Sequence, residues 1–358
     1  MENPFKFGTV VDGKYFTDRK KEQSFLRQII NSPNHAVLIS PRRFGKSSLV
    51  AQVLNECKRE CIHINMQAVT SIGSLAEMIL RKASAGHPLQ KAAHFLTKFR
   101  VAPTISVNPL SGLPEFSFQP GTDRQTMLED AFSVLEDMGK KERLIVVFDE
   151  FQEILKIDKS LDRILRSIMQ EQKNINYILM GSQEDMMKNI FLRKKSPFYH
   201  FGTPIHLGRI PYADFKNYLK ERLALMTSAS EADFLSEEIL RCTDCHPYYT
   251  QQLAFQVWYQ MDAAGPLEDV VRDAVNQIVM MHDFDYSRLW DSMNLTNKAV
   301  LIKLADAADQ FEMASLNMPT STVFSTLKRL VKSGIVLKDN YYELDDPFFR
   351  IWIQQNCL

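Results

Sequence analysis

Residues 37–50, VLISPRRFGKSSLV, constrain the fold more than any other stretch of the chain. An apolar run, Val37-Leu38-Ile39, meets a basic corner that ends in Gly45-Lys46-Ser47, and helical periodicity starts directly behind it. This order is expected of a loop that rings an anion with backbone N–H groups while a helix N-terminus points at it. Gly45 permits the close backbone approach that a side chain would block. Lys46 supplies a point charge for β- and γ-phosphates, and the Ser47 hydroxyl suits a magnesium ion. Pro41, Arg42, Arg43, Phe44 and Ser48 complete the expected cradle. Ser40 stands where such a loop usually opens with glycine, at a strand-to-loop junction that a small residue can fill.

A second stretch, RLIVVFDEFQEI (143–154), carries four apolar residues and Phe148 into Asp149-Glu150. Acidic residues at a strand's carboxyl end lie where ligands bind in open α/β sheets. There Asp149 is expected in a magnesium shell, and Glu150 is expected to orient or deprotonate an attacking water. A third stretch, NINYILMGSQEDM, ends in polar Ser182 and Gln183. In phosphate-loop ATPases with an extra strand between the two Walker strands, a polar residue here senses the γ-phosphate, which gives Ser182 a catalytic role.

Strands are expected at 35–40, 61–65, 144–148, 176–180 and 204–207, all with little polar alternation. Such runs fit a parallel sheet covered on both faces. The fold class is therefore α/β, with a parallel-sheet P-loop NTPase core of ASCE type over residues 1–210. A β-hairpin insertion is expected at 103–121, where Ile105/Val107 and Phe116/Phe118 alternate around a turn. Residues 211–285 read as a helical lid domain. Residues 286–358 read as a winged helix-turn-helix, with helices at 296–308 and 321–334 before a hairpin whose tip is Asp339-Asn340.

The 43 basic and 43 acidic side chains cancel, so no global field favours nucleic acid or an anionic membrane. No apolar run approaches a membrane span and no signal-peptide core is visible, so the expected location is the cytoplasm. Cys242, Cys245 and His246 spell C-x-x-C-H, a haem-attachment spacing whose chemistry requires export; ordinary reduced cysteines are the expectation.

With these pieces placed, nearly the whole chain resembles the archaeal-type ATPase family, in the STAND branch of AAA+-like phosphate-loop NTPases. The family's loop, G-P-R-R-x-G-K-[ST]-S-L, is matched from Ser40 to Leu49, and its D-E-F-Q strand end by Asp149-Glu150-Phe151-Gln152. An F-x-x-R-x-x-E-like motif is matched by Phe16, Arg19 and Glu22, and G-G-H-P-Y-Y by Asp244-Cys245-His246-Pro247-Tyr248-Tyr249. The terminal YELDDPFFRIWI is similar to the family's closing D-P-x-F-R-x-W. The resemblance implies ATP or ADP with Mg2+ as ligands. It also implies that Phe16 and Arg19 lie beside the adenine, and that Pro247 contacts the base from the lid. One departure concerns turnover. The family's S-P-L-Y-G-R reads Ser196-Pro197-Phe198-Tyr199-His200-Phe201 here, so its arginine is absent. Arg193, Lys194, Lys195 and Arg209 are the candidates to replace it.

The expected function is an ATP-binding molecular switch with slow hydrolysis, which moves its lid and winged-helix domains and contacts a protein partner. Two alternatives compete with it, a nucleotide-gated DNA-binding regulator and a scaffold that binds nucleotide without hydrolysis. The regulator would read DNA through Thr322, Ser325, Thr326, Arg329 and Lys332. Residues 290–358 carry seven basic and eight acidic side chains, a balance that does not favour DNA. The client and the oligomeric state leave no signature in the sequence.

Overall fold

The computed structural model describes residues 2–85, 99–108, 114–119, 121–261, 266–306, 318–338 and 341–358. The chain forms two compact units, one of Lys20–Ser40 and Gln52–Leu207, the other of Met1–Arg19, Pro41–Ala51 and Gly208–Leu358.

The first unit contains β1 (Ala36–Ile39), β2 (Cys61–Asn65), β3 (Thr104–Val107), β4 (Pro114–Ser117), β5 (Leu144–Asp149), β6 (Ile175–Gly181) and β7 (Thr203–His206). Five of these form a sheet in the order β2-β5-β6-β1-β7, and every adjacent pair is parallel. β6 thus lies between β1 and β5, the extra-strand arrangement expected from the sequence. The five expected strands are all present, with ends that differ by at most a single residue. β1 and β6 are buried along their whole length, because both faces of a central parallel strand are covered. The outer strands β2 and β7 alternate instead, with only alternate residues buried.

Val37, Ile39, Ile64, Val146, Phe148, Tyr177 and Leu179 form one core with the helices Ile72–Ser84, Arg124–Met138 and Leu161–Glu171. Each buried side chain of this kind contributes about 1.5–3 kcal/mol. Ser71 and Ser74 form a capping box that starts the first of these helices, and Asp123 caps the second through Thr126 N. β3 and β4 pair antiparallel with Ile105 opposite Phe116, so the hairpin strands are present; the expected turn at 109–113 lies outside the described residues.

The second unit is helical, with helices Tyr212–Leu223, Ala229–Thr243, Pro247–Gln260, Leu267–Asp291, Leu295–Asp306, Thr320–Lys332 and Pro347–Cys357. A two-stranded antiparallel ribbon, β8 (Val336–Lys338) and β9 (Tyr342–Leu344), joins the last two. One apolar core runs from Phe5, Phe215 and Trp258 through Ile278 to Val323 and Phe348. The segments expected as lid and as winged helix therefore share that core. The expected hairpin tip Asp339-Asn340 and the end of the 296–308 helix, residues 307–308, lie outside the described residues.

One expectation fails on the Thr320–Lys332 helix. Thr326 is buried rather than outward, because it shares the core-facing row with Val323, Leu327 and Leu330 at i, i+3, i+4 and i+7 spacing. Ser325 and Lys332 are exposed, and Arg329 donates to Asn297 Oδ1 at 2.7 Å.

Two helices in this unit start alike. His246 caps Pro247–Gln260 by accepting from Tyr248 N and Tyr249 N, and Asp346 caps Pro347–Cys357 by accepting from Phe348 N and Phe349 N. Each cap is followed by proline at the first helical position, where a missing N–H costs nothing. The rings of Tyr249 and Phe348 then meet edge-on at 5.8 Å.

Candidate functional site

Ser40 ends the β1 segment fully buried and without a positive φ, so this position does not need glycine's conformational freedom. Gly45 does need it. Its φ of +86° is one that L-residues rarely adopt, and Leu49 N donates to its carbonyl at 2.9 Å as the helix Lys46–Cys57 begins. Arg43 also holds a left-handed φ of +64°. Inside the loop, Lys46 Nζ donates to Pro41 O at 2.8 Å, and Val11 N donates to Ser48 Oγ at 3.1 Å. Arg42, Arg43 and Lys46 place three cations beside the positive end of a helix, an environment built for an anion.

Other segments of the second unit brace this loop, which belongs to the same unit, from three sides. Arg19, itself at φ +58° and buried, donates to Phe44 O at 3.3 Å and to Gly208 O at 2.5 Å. The Phe44 ring meets His246 edge-on at 4.6 Å. The Arg43 guanidinium lies 4.6 Å over the Tyr248 ring, and its Nη1 donates to Tyr249 Oη at 3.2 Å. His246 accepts two amides at Nδ1, so the neutral ring carries its proton on Nε2, 3.6 Å from Asp345 Oδ1. Burial holds this imidazole below its ordinary pKa and outweighs the opposing pull of Asp345. Asp346 takes the Tyr286 hydroxyl at 3.0 Å as well as its two cap amides. Arg209 donates to Glu343 Oε1 and to Asp244 O, each at 2.8 Å.

In the first unit, β5 delivers Asp149 and Glu150 at its carboxyl end. Glu150 sits in the left-handed region at φ +53° and its N–H donates to Asp149 Oδ1 at 2.9 Å. Ser182 Oγ, at the end of β6, donates to Glu150 Oε2 at 2.7 Å. Gln152 Nε2 donates to the same oxygen. The adjacent pairing of β5 with β6 is what brings Ser182 to Glu150.

The model for the family of ATPase domains predominantly from Archaea matches residues 16–253. The chain belongs to that family. Among solved structures, this chain is similar to a Walker-type ATPase of Pyrococcus abyssi, at 19% identity and a TM-score of 0.66, over 95% of this chain and 97% of that one. It is also similar to the Aeropyrum pernix ORC2 protein, solved as ADPNP–ADP complexes, at 15% identity and a TM-score of 0.56, with 98% of each chain covered. The Aeropyrum pernix ORC1 protein in complex with DNA matches at 13% identity and a TM-score of 0.50, over 97% of this chain and 94% of that one. Identities this low carry the fold alone. No curated protein matches.

The family's glycine positions now have a physical reading in this chain. Asp244 and Cys245, at the G-G of the lid motif, hold φ of +47° and +56°, and His200, at the glycine of S-P-L-Y-G-R, holds +56°. Cys242 and Cys245 are free thiols, and burial pushes the latter up to about 11. Phe201 occupies the arginine position as a buried core residue, stacked on His35 at 4.6 Å and with the Arg166 guanidinium 4.9 Å from its own ring centroid. Of the candidate replacements, Arg193, Lys194 and Lys195 are exposed and Arg209 is tied to Glu343 and Asp244. Phe16 and Pro247 are half-buried in the second unit. Sequence reasoning left out Gln152, Tyr249 and Asp346. Their signal was available in the D-E-F-Q, H-P-Y-Y and D-D-P-F-F stretches, read as motifs but not as hydrogen-bonding groups.

Proposed function

We propose that this chain binds Mg-ATP, hydrolyses it slowly, and uses the cycle to move its helical lid and winged-helix domains as a molecular switch. The observation that carries the reading is the loop itself, with Gly45 at φ +86°, a helix starting at Lys46, and Arg43 and Lys46 held in place by Tyr249 and Pro41. In this reading Pro41 to Ser48 cradle the phosphates, with Lys46 as the charge on the β- and γ-phosphates. Ser47 and Asp149 supply hard oxygen donors, the chemistry that suits Mg2+. Magnesium, when bound, neutralises charge on the phosphoryl oxygens. Glu150 orients and deprotonates the attacking water, and Ser182 senses the γ-phosphate. Phe16, Arg19 and Pro247 are assigned to the base. Slow turnover follows from Phe201, because a core aromatic in the arginine position supplies no charge to the transition state, and such an arginine is worth about 10³–10⁵ in rate.

The partner we favour is a protein, reached through the C-terminal elements. The seven-to-eight charge balance and the burial of Thr326 count against a DNA regulator, and failure to bind duplex DNA at low salt excludes it. The deciding experiment measures ATP affinity and phosphate release for wild type, Lys46→Ala and Glu150→Gln. Lys46→Ala is expected to lose binding and Glu150→Gln to bind but not turn over. Wild-type ATP affinity in Lys46→Ala refutes the site, and equal phosphate release from all three refutes the enzyme.

A further inference from the structure

We propose that Gln152 is a positioning residue for Glu150, resting on the ATPase reading above. Both strong donors on the Glu150 carboxylate converge on one oxygen. Ser182 Oγ donates to Oε2 at 2.7 Å, Gln152 Nε2 donates to it too, and Ser182 N lies 3.4 Å away. A carboxylate oxygen offers about two lone-pair sites. With those of Oε2 filled, Oε1 is left as the oxygen that takes the proton from water. The transfer balances simply. Water gives its proton to Glu150, its oxygen bonds the γ-phosphorus, and the bridging P–O bond breaks to leave ADP and phosphate.

The placement of Gln152 is over-determined by its surroundings, which a mere filler would not need. Its side chain is fully buried in the short turn Phe151–Glu153, and its Oε1 has no hydrogen-bond partner among the described residues. An unpaired buried acceptor is destabilising, so an apolar residue of the same length would pack better if packing were its only role. The space for the amide exists only because residue 181 is glycine. A Cβ there would stand 2.3 Å from Gln152 Oε1 and 2.4 Å from Met187 Sδ. The turn after β5, the end of β6 and the helix Glu184–Phe191 thus close on one amide, whose single donated bond goes to Glu150. Glu150 needs such a hold, since its left-handed φ of +53° is a strained one for an L-residue.

The test compares wild type, Gln152→Met and Glu150→Gln. Gln152→Met keeps the length of the side chain and removes the donor. It is expected to lower kcat about 10- to 100-fold while KM and ATP affinity stay at wild-type values. The crystal structure of the nucleotide-free variant is expected to show the Glu150 carboxylate displaced from Ser182. Gln152→Met turning over as fast as wild type or faster, or losing rate only through weaker ATP binding, overturns the proposal. So does a Glu150 that stays in place. If Gln152→Met does not fold, Gln152→Asn, one methylene short of Glu150, carries the same expectation. Wild type no faster than Glu150→Gln sinks the ATPase reading and this proposal together, a result distinct from active wild type beside an unaffected variant.

Discussion

Acid should destabilise the sheet unit through one histidine. His35, just before β1, accepts a hydrogen bond from Tyr177 N at its Nδ1, 3.2 Å away, and stacks on Phe201. Burial, with the cationic Arg166 and Arg143 adding to it, lowers its pKa from 6.5 to about 4. Protonating Nδ1 would also remove the acceptor that Tyr177 uses. The folded pKa lies below the unfolded one, so between those values the unfolded chain binds more protons. The contribution is therefore complete above the unfolded pKa and is lost as pH falls toward the folded one. By about pH 4.5 the loss reaches about 2–3 kcal/mol. The assay is urea unfolding followed by circular dichroism at about pH 7.5 and about pH 4.5, for wild type and His35→Gln, whose amide oxygen still accepts but does not titrate. Wild type should lose about 2–3 kcal/mol more than the variant across that interval. Parallel losses in the two proteins would refute the reasoning.

Gly45→Ala should weaken ATP binding about 5- to 30-fold, because alanine at φ +86° costs about 1–2 kcal/mol; titration with a fluorescent ATP analogue reads it, and unchanged affinity would contradict it. Asp346→Ala removes a helix cap and leaves the buried Tyr286 hydroxyl without its acceptor, a loss of about 2–4 kcal/mol in a denaturant titration. Burial pushes the Cys61 thiol up to about 12 from 9.0, so iodoacetamide should alkylate it about a thousandfold more slowly in the folded protein than after unfolding, as mass spectrometry would show.

The central strands were legible because a parallel strand covered on both faces must be apolar throughout, as Val37-Leu38-Ile39 and Ile145-Val146-Val147-Phe148 are. The phosphate loop was legible for a different reason. Gly45, Lys46 and Ser47 are adjacent in the chain, so their chemistry survives without a fold. Contacts between distant residues were not legible. Nothing in the text pairs Arg43 with Tyr249, 206 residues away, or Ser182 with Glu150, 32 residues away. Thr326 shows a subtler failure, since a polar side chain among apolar neighbours at helical spacing was read by its chemistry and not by its phase. The left-handed Asp244 and His200 are residue types that visit a positive φ more readily than most, while Cys245 carries no sequence mark of one.

The unbroken core of the helical unit sets where this chain can be cut. The family match stops at residue 253, inside the helix Pro247–Gln260, yet the apolar cluster around that helix continues to Ile353. A fragment trimmed to the matched residues would strip Tyr249 of Phe348, and His246 of Asp345. It would also lay bare the inner faces of Leu235, Leu253 and their neighbours. Such a fragment should aggregate, even though every residue of the phosphate loop is inside it. The smallest piece that can keep the loop's bracing side chains in place includes the C-terminal helix.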